Sequence, residues 1–315
     1  MSAALLASLL LAPALRVDCS HGGDLVHVLR SQPQPLVLEI AGTCTGPIEI
    51  VRAAVTLHGE EPSGAAIVGG VTVRGAREVR LENLRLLEGQ VALRAVNAEV
   101  TLEDCELGRA DVAVEAEDAT LTLVRTTLHD GRNGIRARRS RVSLEASTVR
   151  DVSDEGILAR ELSDLRLFQT QVSSDGIAVE SHSGLSAVHS VLEGALHVGV
   201  FSRVSLAGSS LGGDLFASNS EVYLFRLPVG GTVRVRDGGL LTAVEADLQD
   251  VRLDGGSHAR LTTTRVAGGV LAEDFSTLQL ASTSVTDVLA CRTGADAVCT
   301  QAHAGSVSDC TGCAP

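Results

Sequence analysis

One pattern limits this chain more than any other. Asn133-Gly134-Ile135-Arg136-Ala137, Glu155-Gly156-Ile157-Leu158-Ala159 and Asp175-Gly176-Ile177-Ala178-Val179 recur at intervals of 22 and 20 residues. Each copy is followed by a polar break, a short V/L-x-L or L-x-A unit, and a Ser or Thr two places before a Val or Leu. A unit this short cannot bury its own apolar face, so it has to stack on copies of itself.

Extending the register outward places first strands at Val71, Val91, Val112, Ile135, Ile157, Ile177, Leu196, Leu215, Val233, Val251, Val270 and Val288. Second strands are marked by pairs such as Val79/Leu81, Val100/Leu102, Val142/Leu144 and Leu278/Leu280. Third strands fall at Leu107, Leu128, Val149, Val172, Leu192, Leu211, Val266 and Val285. Every segment has period two, so alternate residues face inward, and the 3.6 period of helical repeats is missing. Three short strands per turn, each pairing with its copy one turn later, predict an all-β parallel solenoid of about twelve coils over residues 71–290. Cys105, Thr126, Ser147, Thr170, Ser190, Ser209, Thr264 and Thr283 share one inward place in this register. Stacked hydroxyls can satisfy one another across coils, which lowers the cost of burying them, and Cys105 fits the column as a small buried thiol.

Composition agrees with strands. Aromatic residues make up 2% of the chain, with no Trp and one Tyr, so the core must come from Val, Leu, Ile and Ala. Residues 15–70 are expected to form an N-terminal cap with irregular first coils, including a short helix within Ser20–Arg30 starting near Ser20 or Asp24. Residues 291–315 are expected to form a Cys-rich C-terminal cap. Cys19 and Cys44 flank the first element and suit a disulfide. Cys291, Cys299, Cys310 and Cys313 suit two more, with three pairings open and a four-thiolate zinc site as the lesser alternative. Residues 1–14 resemble the apolar part of a secretory signal with an Ala12-x-Ala14 cleavage site, and the run is too short to span a bilayer. A secreted or periplasmic protein without a membrane span is the expectation.

The repeat resembles the right-handed parallel β-helix family, the pectate-lyase-like superfamily. The resemblance rests on the N/D/E-Gly-Ile-x-Ala/Val units and on the opening Val-Asp-Cys19, Gly-Thr-Cys44-Thr and Val55-Thr-Leu-His-Gly59, and covers about Cys19 to Ala290. It implies a right-handed coil. The fold hosts lyases, hydrolases, esterases, epimerases, adhesins and proteins without activity, so it does not give the function.

Several chemistries are excluded. A formal charge of −13 argues against nucleic-acid binding. All 26 basic residues are Arg, which removes lysine-based mechanisms. The Asn-Thr-Asp triplet and Asp-Asp pair of polygalacturonate hydrolases are missing, and His58-Gly59 stands without partners; glycoside hydrolysis needs paired carboxylates. No His-x-x-x-His or Glu-x-x-His spacing suggests a catalytic metal. The tail Cys310-Thr-Gly-Cys313 lacks the βαβ setting of a redox motif.

One place concentrates charge. Arg132, Arg136, Arg138, Arg139 and Arg141 lie within ten residues, and Arg160 is expected one coil above Arg138. Asp130, Asp154, Glu155 and Asp175 occupy successive turns beside them and form a column with the ligand chemistry for calcium. His129 is the available base. With Arg138 and Arg160 holding a uronate carboxylate, these are the ingredients of a polysaccharide lyase. Against it stand the mixed signs of the outward column Arg74, Arg94, Glu115, Arg138, Arg160, Glu180, Arg236, Asp254 and Glu273, which suit a solvated salt ladder. Regular coils also leave few long loops to roof a groove. Tyr223, Phe225 and Phe216 are expected to form a small outward apolar patch. The sequence therefore favours a non-catalytic secreted or cell-surface protein with a structural or glycan-binding role. In that role the Arg132–Arg160 patch would be the contact with an acidic extracellular polysaccharide. The alternative is a lyase acting on a uronate polymer.

Overall fold

The computed structural model describes residues 14–60 and 65–313, so the signal-like segment lies almost wholly outside the described residues. The chain winds into a parallel β-solenoid. A fifteen-stranded sheet collects the second strand of every coil, from Leu15–Asp18 to Asp296–Thr300, and a 22-stranded sheet collects the first and third strands. Fourteen turns separate the ends of the fifteen-stranded sheet, about 67 Å at about 4.8 Å per coil. The expected solenoid of about twelve regular coils is present, and the caps extend the stack beyond them. Leu15–Asp18, Leu36–Ala41 and Val55–Gly59 already pair in parallel. At the other end Asp296–Thr300 and His303–Ser308 pair onto the preceding coil. The helix is short, Leu25–Ser31. Asp24 caps it, its Oδ1 accepting from the His27 amide at 2.9 Å.

The core is a set of aliphatic rows along the axis. Leu81, Leu102, Leu123, Leu144 and Leu167 are in-register neighbours on five coils, each at most 2% exposed. Burying each such side chain contributes on the order of 1.5–3 kcal/mol. The N/D/E-Gly-Ile unit is explained by crowding at the corner between third and first strands. A Cβ on Gly134 would lie 2.4 Å from the Gly156 carbonyl oxygen, and one on Gly194 would lie 2.2 Å from that of Ser174. Only glycine lets successive coils approach so closely.

The register needs three corrections. Val71 pairs with Leu93, and Val91 and Val112 pair with one another and with Asn133, two residues ahead of the Ile135 row. Period two keeps a two-residue slip on the same face, so hydropathy could not detect it. Val288 is 43% exposed and Leu289, four residues after Val285 and therefore on the same parity, takes the inward place opposite Val270. The outward column divides in the same way. Arg94, Glu115, Arg136 and Leu158 form one row, while Glu117, Arg138 and Arg160 belong to the next.

The hydroxyl column is present, and all eight members are at most 5% exposed. Each γ-oxygen or thiol sits just after a corner. Ser147 Oγ accepts from the Thr126 amide at 3.1 Å and donates to the Glu145 carbonyl at 2.9 Å. A second column, Ser140, Ser163, Ser183, Ser202, Ser220, Ser257 and Ser276, is equally buried at the corner between first and second strands. The Ala119 amide donates to Ser140 Oγ at 3.0 Å and the Ser163 amide to Ser183 Oγ at 3.2 Å. Each serine or threonine follows a residue in the left-handed region, such as Arg125 (φ 48°) before Thr126 and Ala146 (φ 48°) before Ser147. That conformation costs about 1–2 kcal/mol without glycine. It turns the amide toward the next coil, as in Arg125 N–H to Glu145 O at 2.9 Å and Ala146 N–H to Phe168 O at 3.0 Å.

Disulfides join Cys19–Cys44, Cys291–Cys310 and Cys299–Cys313. The first was expected, and the last two select one of the three open pairings and use all four tail thiols. Disulfides persist outside reducing compartments, so the chain belongs to an oxidising one. Among the described residues no helix is long and apolar enough to cross a membrane. The Ser147→Ala variant removes the acceptor of a buried amide and should lose about 1–3 kcal/mol of stability in urea unfolding. Thr148→Ala, at the neighbouring outward position, should change it by less than about 0.5 kcal/mol.

Candidate functional site

The arginine cluster sits where the strands Asn133–Arg138 and Thr148–Arg160 round the glycine corner. Asn133 is fully buried. Its amide nitrogen donates to Glu155 Oε2 at 3.0 Å and its oxygen accepts from Arg136 Nη2, leaving Arg136 Nε buried and unpartnered among the described residues. Arg138 lies directly beneath Arg160, as expected. Neither is free, since Arg138 Nε donates to Glu161 Oε2 at 2.8 Å and Arg160 Nε to Glu180 Oε2 at 2.8 Å. Arg139 grips Asp118 with two bonds of 2.7 and 2.8 Å and reaches Glu161 at 2.8 Å. Its guanidinium holds the Asp118 carboxyl below the usual carboxylate range. Arg132 faces Asp154 at 3.5 Å and Arg141 faces Asp164 at 3.4 Å. Five of the six arginines thus link one coil to the next through carboxylates. Between Arg136, Arg138 and Arg160 runs a groove of about 270 Å³ floored by Ala137 and Leu158.

His129 is 7% exposed, and both ring nitrogens are taken, Nδ1 by Asp130 Oδ2 at 2.7 Å and Nε2 by Glu106 Oε1 at 2.8 Å. Gly108, its register neighbour, makes room for the ring, since a Cβ there would lie 2.7 Å from His129 Cε1. His129 is not among the residues lining the groove beside Arg138. The acidic column is dispersed: Asp130 binds His129, Asp154 faces Arg132, and Glu155 accepts from Asn133. Among the described residues no three His, Cys, Asp or Glu side chains converge as a metal site.

Cys105 is buried, its Sγ donating to Leu81 O at 3.2 Å and Glu103 O at 3.3 Å. Burial pushes its thiol up to about 11. The thiolate is the reactive form, so alkylation by iodoacetamide should be negligible in the native protein at pH 8 and appear only on unfolding. Labelling of one native thiol at that pH would contradict this placement.

Two larger grooves flank the corner that carries the second serine column, and the sequence did not reveal them. The first, about 700 Å³, runs over the outward face of the fifteen-stranded sheet. Gly184, Ser186 and Ser205 form a flat small-residue floor, and His182 and Phe201 rise from the corner as its wall. Their rings lie 5.1 Å apart with an interplanar angle of 32°. Arg203 and Glu221, paired at 2.7 Å, border it. Phe201 is 60% exposed and holds φ at 55°. The left-handed φ is shared by every residue before a serine of this column; what makes Phe201 a candidate is an exposed aromatic ring beside His182 at the edge of a groove. The signal was present: His182 and Phe201 each precede a serine of the second column, a place that reads as an exposed corner once the column is seen.

The second groove, about 350 Å³, lies on the other flank beside His197, Phe216, Arg234 and Arg236. Phe216 therefore belongs to a different face from Tyr223 and Phe225, and the expected three-residue patch does not form. Phe225 instead carries the Arg226 guanidinium at 4.7 Å from its ring centre.

No family model, curated protein or solved structure matches this chain.

Proposed function

We propose that the chain is an exported, non-catalytic β-solenoid that binds glycan along the flanks of its serine corner. A distant place in the pectate-lyase-like superfamily is part of the same proposal. It is supported by the parallel coils and the inward polar columns rather than by any matched relative. Export is supported by the three disulfides and by the apolar opening segment.

The observation that carries the reading is the Phe201 trough. Sugars are recognised by an exposed aromatic face for the pyranose C–H surface, with small polar groups placed around it. Phe201, backed by His182, supplies the face, and Ser186 and Ser205 supply hydroxyls on a floor without bulk. The trough is open and runs across successive coils, so a chain can lie along it and slide out without a lid opening. The lyase alternative has weaker support. A uronate carboxylate would have to displace Glu161 and Glu180 from Arg138 and Arg160, and His129 would have to leave two carboxylates to accept a proton.

Titration calorimetry of the folded protein against oligosaccharides of several classes tests the reading. Phe201→Ala should weaken the best binder by roughly tenfold. Phe275→Ala, at a still more exposed residue before Ser276 but far along the stack, should leave it unchanged. Incubation with pectate or alginate should generate no absorbance from unsaturated uronate. Turnover abolished by Arg138→Ala would replace this function with the lyase.

A further inference from the structure

We propose that a second row, on the opposite flank of the same corner, is a subsite for an anionic sugar residue. His197, Phe216, Arg234 and Arg252 are in-register neighbours on four consecutive coils, spaced about 4.8 Å apart along the axis. Each lies between two buried inward residues, for example Leu215 and Ala217 around Phe216 and Val233 and Val235 around Arg234, so all four point outward. The His197 and Phe216 rings are stacked, with centroids 5.0 Å apart and planes within 14°. They make a flat two-ring platform that leads directly onto two guanidinium groups.

Those guanidinium groups differ from most of their kind in this protein. Arg160, Arg203 and Arg226 are each tied to a glutamate on the next coil. Among the described residues Arg234 and Arg252 meet no carboxylate in ion-pair contact. Many arginines on these faces strap one coil to the next in this way. Here two successive coils carry arginines with no acid to strap, one of them half-buried in a groove of about 350 Å³. Of the carboxylates around the groove, Glu180 accepts from Arg160 at 2.8 Å and Asp237 faces Arg236 at 3.4 Å, while Asp254, its carboxyl pushed up mainly by burial, feels Arg234 and Arg236 without forming an ion pair among the described residues.

The chemistry of this row selects its ligand. A pyranose ring can lie against Phe216, and a carboxylate or sulfate on it can take the planar fork of Arg234 or Arg252. The overall charge of −13 opposes any polyanion at long range. Screening at physiological salt limits that opposition to within about 8 Å, so the local arginines decide. Two unpaired arginines are too few to hold a nucleic-acid backbone against that charge. The expected ligand is therefore an oligosaccharide with acidic residues, recognised over a few sugars. The choice of a glycan rests on the function proposed above, but the residues are different.

The test compares three probes on the full folded chain: a galacturonate hexamer, a neutral glucose hexamer and inorganic sulfate. Binding is measured by calorimetry for the wild type, Arg234→Ala/Arg252→Ala, Phe216→Ala and Phe201→Ala, each shown to be folded by circular dichroism and thermal melting. The acidic hexamer should bind more tightly than sulfate, lose about tenfold or more in the arginine double variant, and lose several-fold in Phe216→Ala. Phe201→Ala should leave this dependence on Arg234, Arg252 and Phe216 intact. Acidic-hexamer binding insensitive to all three substitutions would overturn the subsite. If neutral binding then still depended on Phe201, the general glycan reading would survive. Sulfate binding as tightly as the hexamer would also overturn it, leaving a simple anion site.

Discussion

Every structural feature of this protein depends on one contact, the parallel main-chain pairing between a coil and its copy one turn later. A coil of about twenty residues encloses no core alone, and its corners carry amides and carbonyls that a lone turn would leave exposed. Stacking satisfies both needs. The strand amides bond along the axis, and at each corner a residue with positive φ aims its amide at the coil above. At two of the corners a small serine, threonine or cysteine follows in most coils and fills the space beneath. The two buried columns are therefore part of the pairing and not decoration within it. The penalty of left-handed corners is offset by one axial hydrogen bond and one packed small side chain per coil.

The same stacking explains the charged surface. A residue on an outward row meets its register neighbours at about 4.8 Å, a distance that brings Arg onto Glu or Asp without further design. Arg138, Arg139 and Arg160 are spent in this way on Glu161, Asp118 and Glu180. Exposed pairs of this kind are individually weak and screened by salt, but they discourage mismatched registers and keep a long flat surface soluble. Among the described residues Arg234 and Arg252 form two successive members of one outward row without an ion pair, and the exposed ring of Phe201 stands across the same corner.

Most of the fold was legible in the sequence and little of the binding surface was. Period two, the glycine corner and the first hydroxyl column each repeat, so errors in one coil are corrected by its neighbours. What failed were features invisible to periodicity. A two-residue slip at Val91 and Val112 keeps every apolar residue inward, and at the last coil Val288 and Leu289 are both apolar, so hydropathy alone did not say which faces in. The caps continue the same stack, and their disulfides tie cap segments to neighbouring coils. The grooves depend on which outward residues share a face, and that follows from exact register. Phe216 and Tyr223 are seven residues apart in sequence yet belong to different sheets. Charge density drew attention to Arg132–Arg160, where five of six arginines meet carboxylates, and away from Arg234, which meets none in ion-pair contact among the described residues.

We propose that sugars meet this stack at the aromatic flanks of the serine corner and not at the arginine-rich one. Diffraction from crystals soaked with neutral and acidic hexasaccharides tests it directly. The expected result is sugar density against Phe201 and His182 for one or both ligands, and against Phe216 and Arg234 for the acidic one. Sugar seated between Arg138 and Arg160, with Glu161 and Glu180 displaced and His129 turned toward it, would contradict it.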